Sequence, residues 1–73
     1  MWWITFRVKE NKLPEVIDII QRRFFLSTVY KIAKEDVNNY IIEFGTSSTL
    51  EEILRIFREA NLYYYLIAIT RGA

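Results

Sequence analysis

Residues 27–45 read STVYKIAKEDVNNYIIEFG, and this stretch decides the fold. Its two halves, 27–34 (STVYKIAK) and 39–45 (NYIIEFG), are rich in β-branched and aromatic residues, as strands are. In the second half Tyr40, Ile42 and Phe44 alternate onto one face. Only Glu35-Asp36-Val37-Asn38 separates the halves, and so short a connection joins antiparallel neighbours. The middle of the chain is therefore read as a β-hairpin. The inward face of its first strand stays open, because Tyr30/Ile32 and Val29/Ala33 both make apolar pairs.

Outward on both sides the period changes to that of a helix. Upstream, over 13–25, Leu13, Val16, Ile17, Ile20 and Phe24 form one stripe. Pro14 marks a first turn, and Arg22-Arg23 sit in the last turn, where the helix dipole favours cations. Downstream, Leu50, Ile53, Leu54 and Phe57 form a second stripe. Two overlapping capping boxes precede it, Ser48…Glu51 and Thr49…Glu52. Asn61 suits its end. Outermost are two further strands. Residues 2–9 (WWITFRVK) alternate, with Trp2, Ile4, Phe6 and Val8 on one face and Trp3, Thr5, Arg7 and Lys9 on the other. Residues 62–70 are expected to close the fold as a fourth strand.

The order β-α-β-β-α-β, in two similar halves (2–34 and 39–70), resembles the ferredoxin-like superfold. That resemblance covers nearly the whole chain. It implies an α+β sandwich: one four-stranded antiparallel sheet in the order 4-1-3-2, with two helices on one face. It is a likeness of architecture and carries no function.

The chain has 73 residues, which suits a single domain over 1–73. A chain this short buries only about 60% of its unfolded surface. With no cysteine and no histidine, disulfides and a zinc site of the usual kind are excluded, leaving packing or self-association. No apolar run reaches the ~20 residues of a membrane span, and the start lacks the basic region of a secretion signal. The expected place is the cytoplasm, with no membrane partner. Residues 1–34 carry seven basic and three acidic groups and residues 35–73 three basic and six acidic, so the halves stand at +4 and −3.

A sheet with helices on one side leaves the other side open. If Ile4, Phe6, Val8, Tyr40, Ile42 and Phe44 are covered, the open face presents Trp3, Thr5, Arg7, Asn39, Ile41 and Glu43. The fourth strand is apolar on both faces: Tyr63, Tyr65, Ile67 and Ile69 on one, Leu62, Tyr64, Leu66 and Ala68 on the other. Trp3, Ile41, Tyr64 and Leu66 are then expected to form one contiguous patch, and such patches mark interaction sites. The reading this favours is a small non-enzymatic binding module that forms a homodimer or docks on a partner protein. The alternative is a single-stranded nucleic-acid binder using Trp3 with Arg7, Lys9, Lys31, Arg22 and Arg23. Against that alternative, the aromatic signature of RNA-recognition motifs fits residues 37–44 poorly, since its stacking positions fall on Asn39 and Ile41. A third reading is a designed or model sequence without biological function, which would show the same regular caps and stripes.

Other uses of this architecture meet missing parts. Heavy-metal carriers need a cysteine pair in the first loop, and acylphosphatase-like enzymes need a glycine-rich loop there; this loop reads ENKL. ACT-type ligand domains also tend to need a glycine turn there, though their dimeric habit fits this chain. Catalysis is not expected, because no cysteine nucleophile exists and Ser27, Ser47 and Ser48 have no histidine to activate them. Glu35-Asp36 reads as a turn and Glu51-Glu52 as a helix start, rather than as metal ligands. No cofactor is expected.

Overall fold

A computed structural model describes residues 1–72; the side chain of Tyr64 lies outside the description. The elements run β1 (Trp2–Lys9), a 3-10 turn (Glu10–Lys12), α1 (Leu13–Arg23), β2 (Thr28–Lys34), β3 (Asn39–Thr46), α2 (Leu50–Glu59), a second 3-10 turn (Tyr63–Tyr65) and β4 (Leu66–Arg71). The protein is α+β, with one four-stranded antiparallel sheet in the order β2-β3-β1-β4. This is the expected order, read from the opposite edge.

The centre of the sheet follows the alternation in the sequence. β1 and β3 pair without interruption from Trp2 opposite Thr46 to Lys9 opposite Asn39. Ile4, Phe6 and Val8 therefore share a face with Phe44, Ile42 and Tyr40, and both helices pack on it through Val16, Ile20, Ile53, Ile56 and Phe57. Four phenylalanines interlock there: Phe24 against Phe44 at 4.9 Å and Phe6 against Phe57 at 5.1 Å between ring centroids, both edge-on.

The helix ends show which local signals are used. Thr49 caps α2, its Oγ1 accepting from the Glu52 N–H at 3.2 Å. Asn61 adopts a positive φ of 59° beyond the C-cap Ala60. The Leu62 N–H then bonds Phe57 O and the Asn61 N–H bonds Arg58 O, a Schellman closure with Leu62 buried. Ser48 does not cap. It is buried, and its Oγ accepts from the Phe25 N–H at 2.8 Å. Beside it, buried Thr46 donates to Phe25 O at 2.6 Å and accepts from the Ser48 N–H at 3.1 Å. These bonds pin the α1–β2 connection, where Leu26 holds a φ of 48°.

Three expectations are corrected. α1 stops at Arg23 rather than at residue 25, with Phe24 turning into the core in extended backbone and Phe25 left exposed. The fourth strand starts at Leu66, because residues 63–65 form a 3-10 turn directly after the Schellman closure. Both edge strands also carry a bulge, near Tyr30 in β2 and near Ile67 in β4. Each bulge shifts the alternation by one residue.

The Thr46 network yields a test. Thr46→Val keeps the shape, but it strips the buried Ser48 N–H of its acceptor and Phe25 O of a donor. The expected loss is about 1–3 kcal/mol in urea unfolding, with faster amide exchange at Ser48.

Candidate binding face

The face of the sheet opposite the helices carries Trp3, Thr5, Arg7 and Lys9 from β1, and Gly45, Glu43, Ile41 and Asn39 from β3. From the edges come Lys31 and Ala33 of β2, opposite Glu43 and Ile41, and Ala68 and Thr70 of β4, opposite Thr5 and Trp3. No described helix covers it.

Trp3 is half-buried on this face, and the reasons lie in its neighbours. Tyr30, the extra residue of the β2 bulge, leans over β3 onto it, with ring centroids 4.4 Å apart and planes tilted by 38°. The ring can do so because Gly45 lies beneath. A Cβ at Gly45 would meet Tyr30 Cε2 at 2.9 Å. On the other side the indole lies over Gly72, where an added Cβ would fall inside the ring at Nε1 and Cδ1. Tyr30 itself is 50% exposed. The two glycines of the chain thus flank one aromatic pair, which they admit by having no side chain.

The other end of the face is ionic. Arg7 grips Glu35 with two bonds, Nε to Oε1 at 2.6 Å and Nη2 to Oε2 at 2.9 Å. Because β3 lies between β1 and β2, the bridge crosses the row holding Ile41 and Asn39, and Ile41 is half-buried. The hydrogen bond to Arg7 holds the Glu35 carboxyl below the usual carboxylate range, and the same bond raises Arg7. Asp36 is also lowered, first by the Asn38 N–H and then by the Asn39 side chain, the bonds that close the hairpin turn.

Of the expected interface residues, Trp3 and Ile41 share this face. Leu66 does not. The β4 bulge turns it to the helix side, opposite Phe6, where it packs on the core together with Ile69. Ile67, the bulge residue beside it, is exposed. Tyr64, expected in the patch, has its side chain outside the described residues. Of the expected nucleic-acid set, Trp3, Arg7, Lys9 and Lys31 share the open face. Arg22 and Arg23 do not join them, because α1 lies on the other side of the sheet. There Arg22 pairs with Asp18 at 2.6 Å and Arg23 with Glu59 at 2.5 Å. Tyr30 is the residue that period-two reading left unassigned. Gly45 opposite Trp3 was its only signal, since a strand glycine marks a close approach.

No group of metal-ligating side chains occurs among the described residues, and no described helix is long and apolar enough to cross a membrane. Compared with protein-family models, with curated proteins and with solved structures, the chain finds no match.

Two outcomes are expected. Gly72→Ala displaces the indole, so the Trp3–Tyr30 pair separates. Tryptophan emission shifts to the red and the Tyr30 ring protons lose their ring-current shifts, while the core phenylalanine signals stay in place. For acid, Glu35, Asp36 and Glu59 all ionise more readily folded than unfolded, so their contribution is full at neutral pH and is lost as pH falls through and below the ordinary carboxylate range. Urea midpoints measured against pH should decline there, and Arg7→Met should flatten part of the decline.

Proposed function

We propose that the chain is a non-enzymatic binding module of ferredoxin-like type that pairs with a second copy of itself through the open sheet face. The observation that carries this reading is the Trp3–Tyr30 pair, held half-exposed at one end of a sheet face that no described helix covers. Tryptophan, tyrosine and arginine are the side chains that most often anchor protein interfaces. Ile41 adds to the apolar surface on β3.

Size and charge agree with self-pairing. Four strands ~4.8 Å apart and up to eight residues of ~3.3 Å make a plane of about 19 by 26 Å. That is about 500 Å² in projection, and side-chain relief brings it toward the roughly 800 Å² per partner of a standard interface. The face also holds both signs, with Arg7, Lys9 and Lys31 against Glu35 and Glu43. A two-fold axis sets a patch against its own copy, so a mixed-sign patch can match itself where a single-sign one repels.

The nucleic-acid alternative is less well supported by the same face. Arg7 is committed to Glu35, and Glu43 stands between Thr5 and Lys31, where a phosphate chain would run.

Sedimentation at micromolar concentration should give twice the chain mass. Trp3→Glu should give the monomer, weakening pairing by about 2 kcal/mol or more; Tyr30→Lys should act in the same direction. A strict monomer for the unchanged chain would refute self-pairing. Salt-sensitive quenching of tryptophan emission by single-stranded oligonucleotides would then favour the alternative.

A further inference from the structure

Between α1 and β2, Phe25 and Leu26 stand 63% and 67% exposed, two large apolar side chains in succession. Leu26 also holds a φ of 48°, in the left-handed region that suits glycine and asparagine and strains a bulky residue. At the other positive-φ position among the described residues the chain does use asparagine, Asn61. A leucine at 26 strains the turn, and its side chain gains no cover within the chain.

The segment is nonetheless held firmly. Thr46 and Ser48 are the buried polar side chains among the described residues, and both bond the Phe25 backbone. The Ser47 N–H donates to the same Phe25 carbonyl at 2.9 Å, and beyond Leu26 the Ser27 hydroxyl donates to Ile20 O at 2.9 Å. None of these bonds uses the side chain of Phe25 or Leu26. Their effect is to fix an apolar projection that points into solvent.

A hollow of matching character lies elsewhere on the helix side. It is a cleft of about 420 Å³, within the range of small-molecule sites. Ile19 of α1 lines one wall, Ala60 and Leu62 after α2 line the other, and exposed Tyr65 borders it. Pro14 at the start of α1 and the Schellman closure at Asn61 fix these walls, so the cleft is preformed. A copy cannot fill its own cleft. Phe25 is tied to Ser48, ahead of α2, whereas the cleft lies beyond the end of that ten-residue helix, about 15 Å away.

We infer that Phe25 and Leu26 of one copy seat in the α1–α2 cleft of a second copy. The charges nearest both surfaces are already paired within the chain: Arg22 with Asp18 at 2.6 Å, Arg23 with Glu59 at 2.5 Å, and Lys12 with Glu15 at 3.7 Å. Apolar surface is what each side has left to match. Projection and hollow are both rigid before they meet, which keeps the ordering cost low. The contact joins two different patches, so it repeats head to tail, closing into a ring or running on as an open chain. It is small beside a standard interface, so it forms at higher concentration than the pairing proposed for the sheet face. The cleft and that face lie on opposite sides of the sheet, and neither contact needs the other.

The test uses the full chain carrying Trp3→Glu, which removes sheet-face pairing. In sedimentation between about 0.05 and 1 mM its mean mass should rise severalfold, and about 0.5 M NaCl should leave the rise undiminished. Adding Phe25→Ser/Leu26→Asn should keep the chain monomeric throughout. That variant stays folded, because asparagine accepts the left-handed φ and the Phe25 backbone bonds remain. Ala60→Leu, which fills the cleft, should likewise stay monomeric; Tyr65→Glu at the cleft border is the second cleft variant. Mixed, the projection variant and a cleft variant should form a one-to-one complex and grow no further, since each supplies what the other lacks. With the projection variant ¹⁵N-labelled, amide shifts should fall at residues 12–19 and 60–65. A parent still monomeric at about 1 mM, growth that persists in the projection variant, or shifts centred on Thr5 and Ile41 would each overturn the inference. So would a mixture in which neither folded cleft variant binds. Sheet-face pairing is judged separately, by the micromolar mass of the unchanged chain.

Discussion

The uninterrupted pairing of β1 with β3 is the constraint on which the molecule depends. Eight consecutive residue pairs, with no bulge, carry one alternation through the centre of the sheet. That register sends Ile4, Phe6, Val8, Ile42 and Phe44 together to one side, where the two helices close over them. A one-residue slip of β1 against β3 would send Ile4, Phe6 and Val8 to the other side, away from Ile42 and Phe44. By the same geometry the register leaves Trp3, Thr5, Arg7, Ile41 and Glu43 on a face with no cover. Core and candidate face are the two sides of one pairing, so neither can be altered without the other.

What the sequence made legible follows from this. The central strands and the two amphipathic helices could be read because each rests on a period repeated over several residues, and the strand order was implied by the resemblance of the element order to a known superfold. Thr49 as cap and Asn61 as the left-handed residue could be read because each side chain answers a specific backbone need. The edges were not legible in the same way. An edge strand has a partner on one side only, so an extra residue is accommodated with little loss of hydrogen bonding, and alternation fails there. Leu66 and Ile69 face the core from both sides of such an insertion; Val29 and Ile32 face the helix side across another. The eight apolar residues 62–69 therefore misled: they span a turn and a bulged edge strand rather than one strand covered on both faces.

The bulges also provide something a regular edge would not. In β2 the extra residue is Tyr30, and its ring reaches over Gly45 to Trp3. Bulges recur at sheet edges, where they twist the strand away from open-ended pairing and re-aim a side chain. Here one insertion does both: it breaks the regular edge of β2 and builds the aromatic pair that makes the open face a candidate for binding.

That pair bears on how the face would bind. A tryptophan free in solvent must surrender its rotamers when a partner arrives, at about 0.5–1.5 kcal/mol for each ordered side chain. Trp3, held between Tyr30 and Gly72, is already restricted, so its apolar surface can be covered with less entropy lost. Arg7, tied to Glu35 through two of its three guanidinium nitrogens, is likewise set before binding, and its charge is already answered within the chain. A face whose aromatic groups are fixed and whose arginine is already paired gains most from a partner that matches its shape. It gains less from a polyanion, whose affinity rests on free cations releasing counterions.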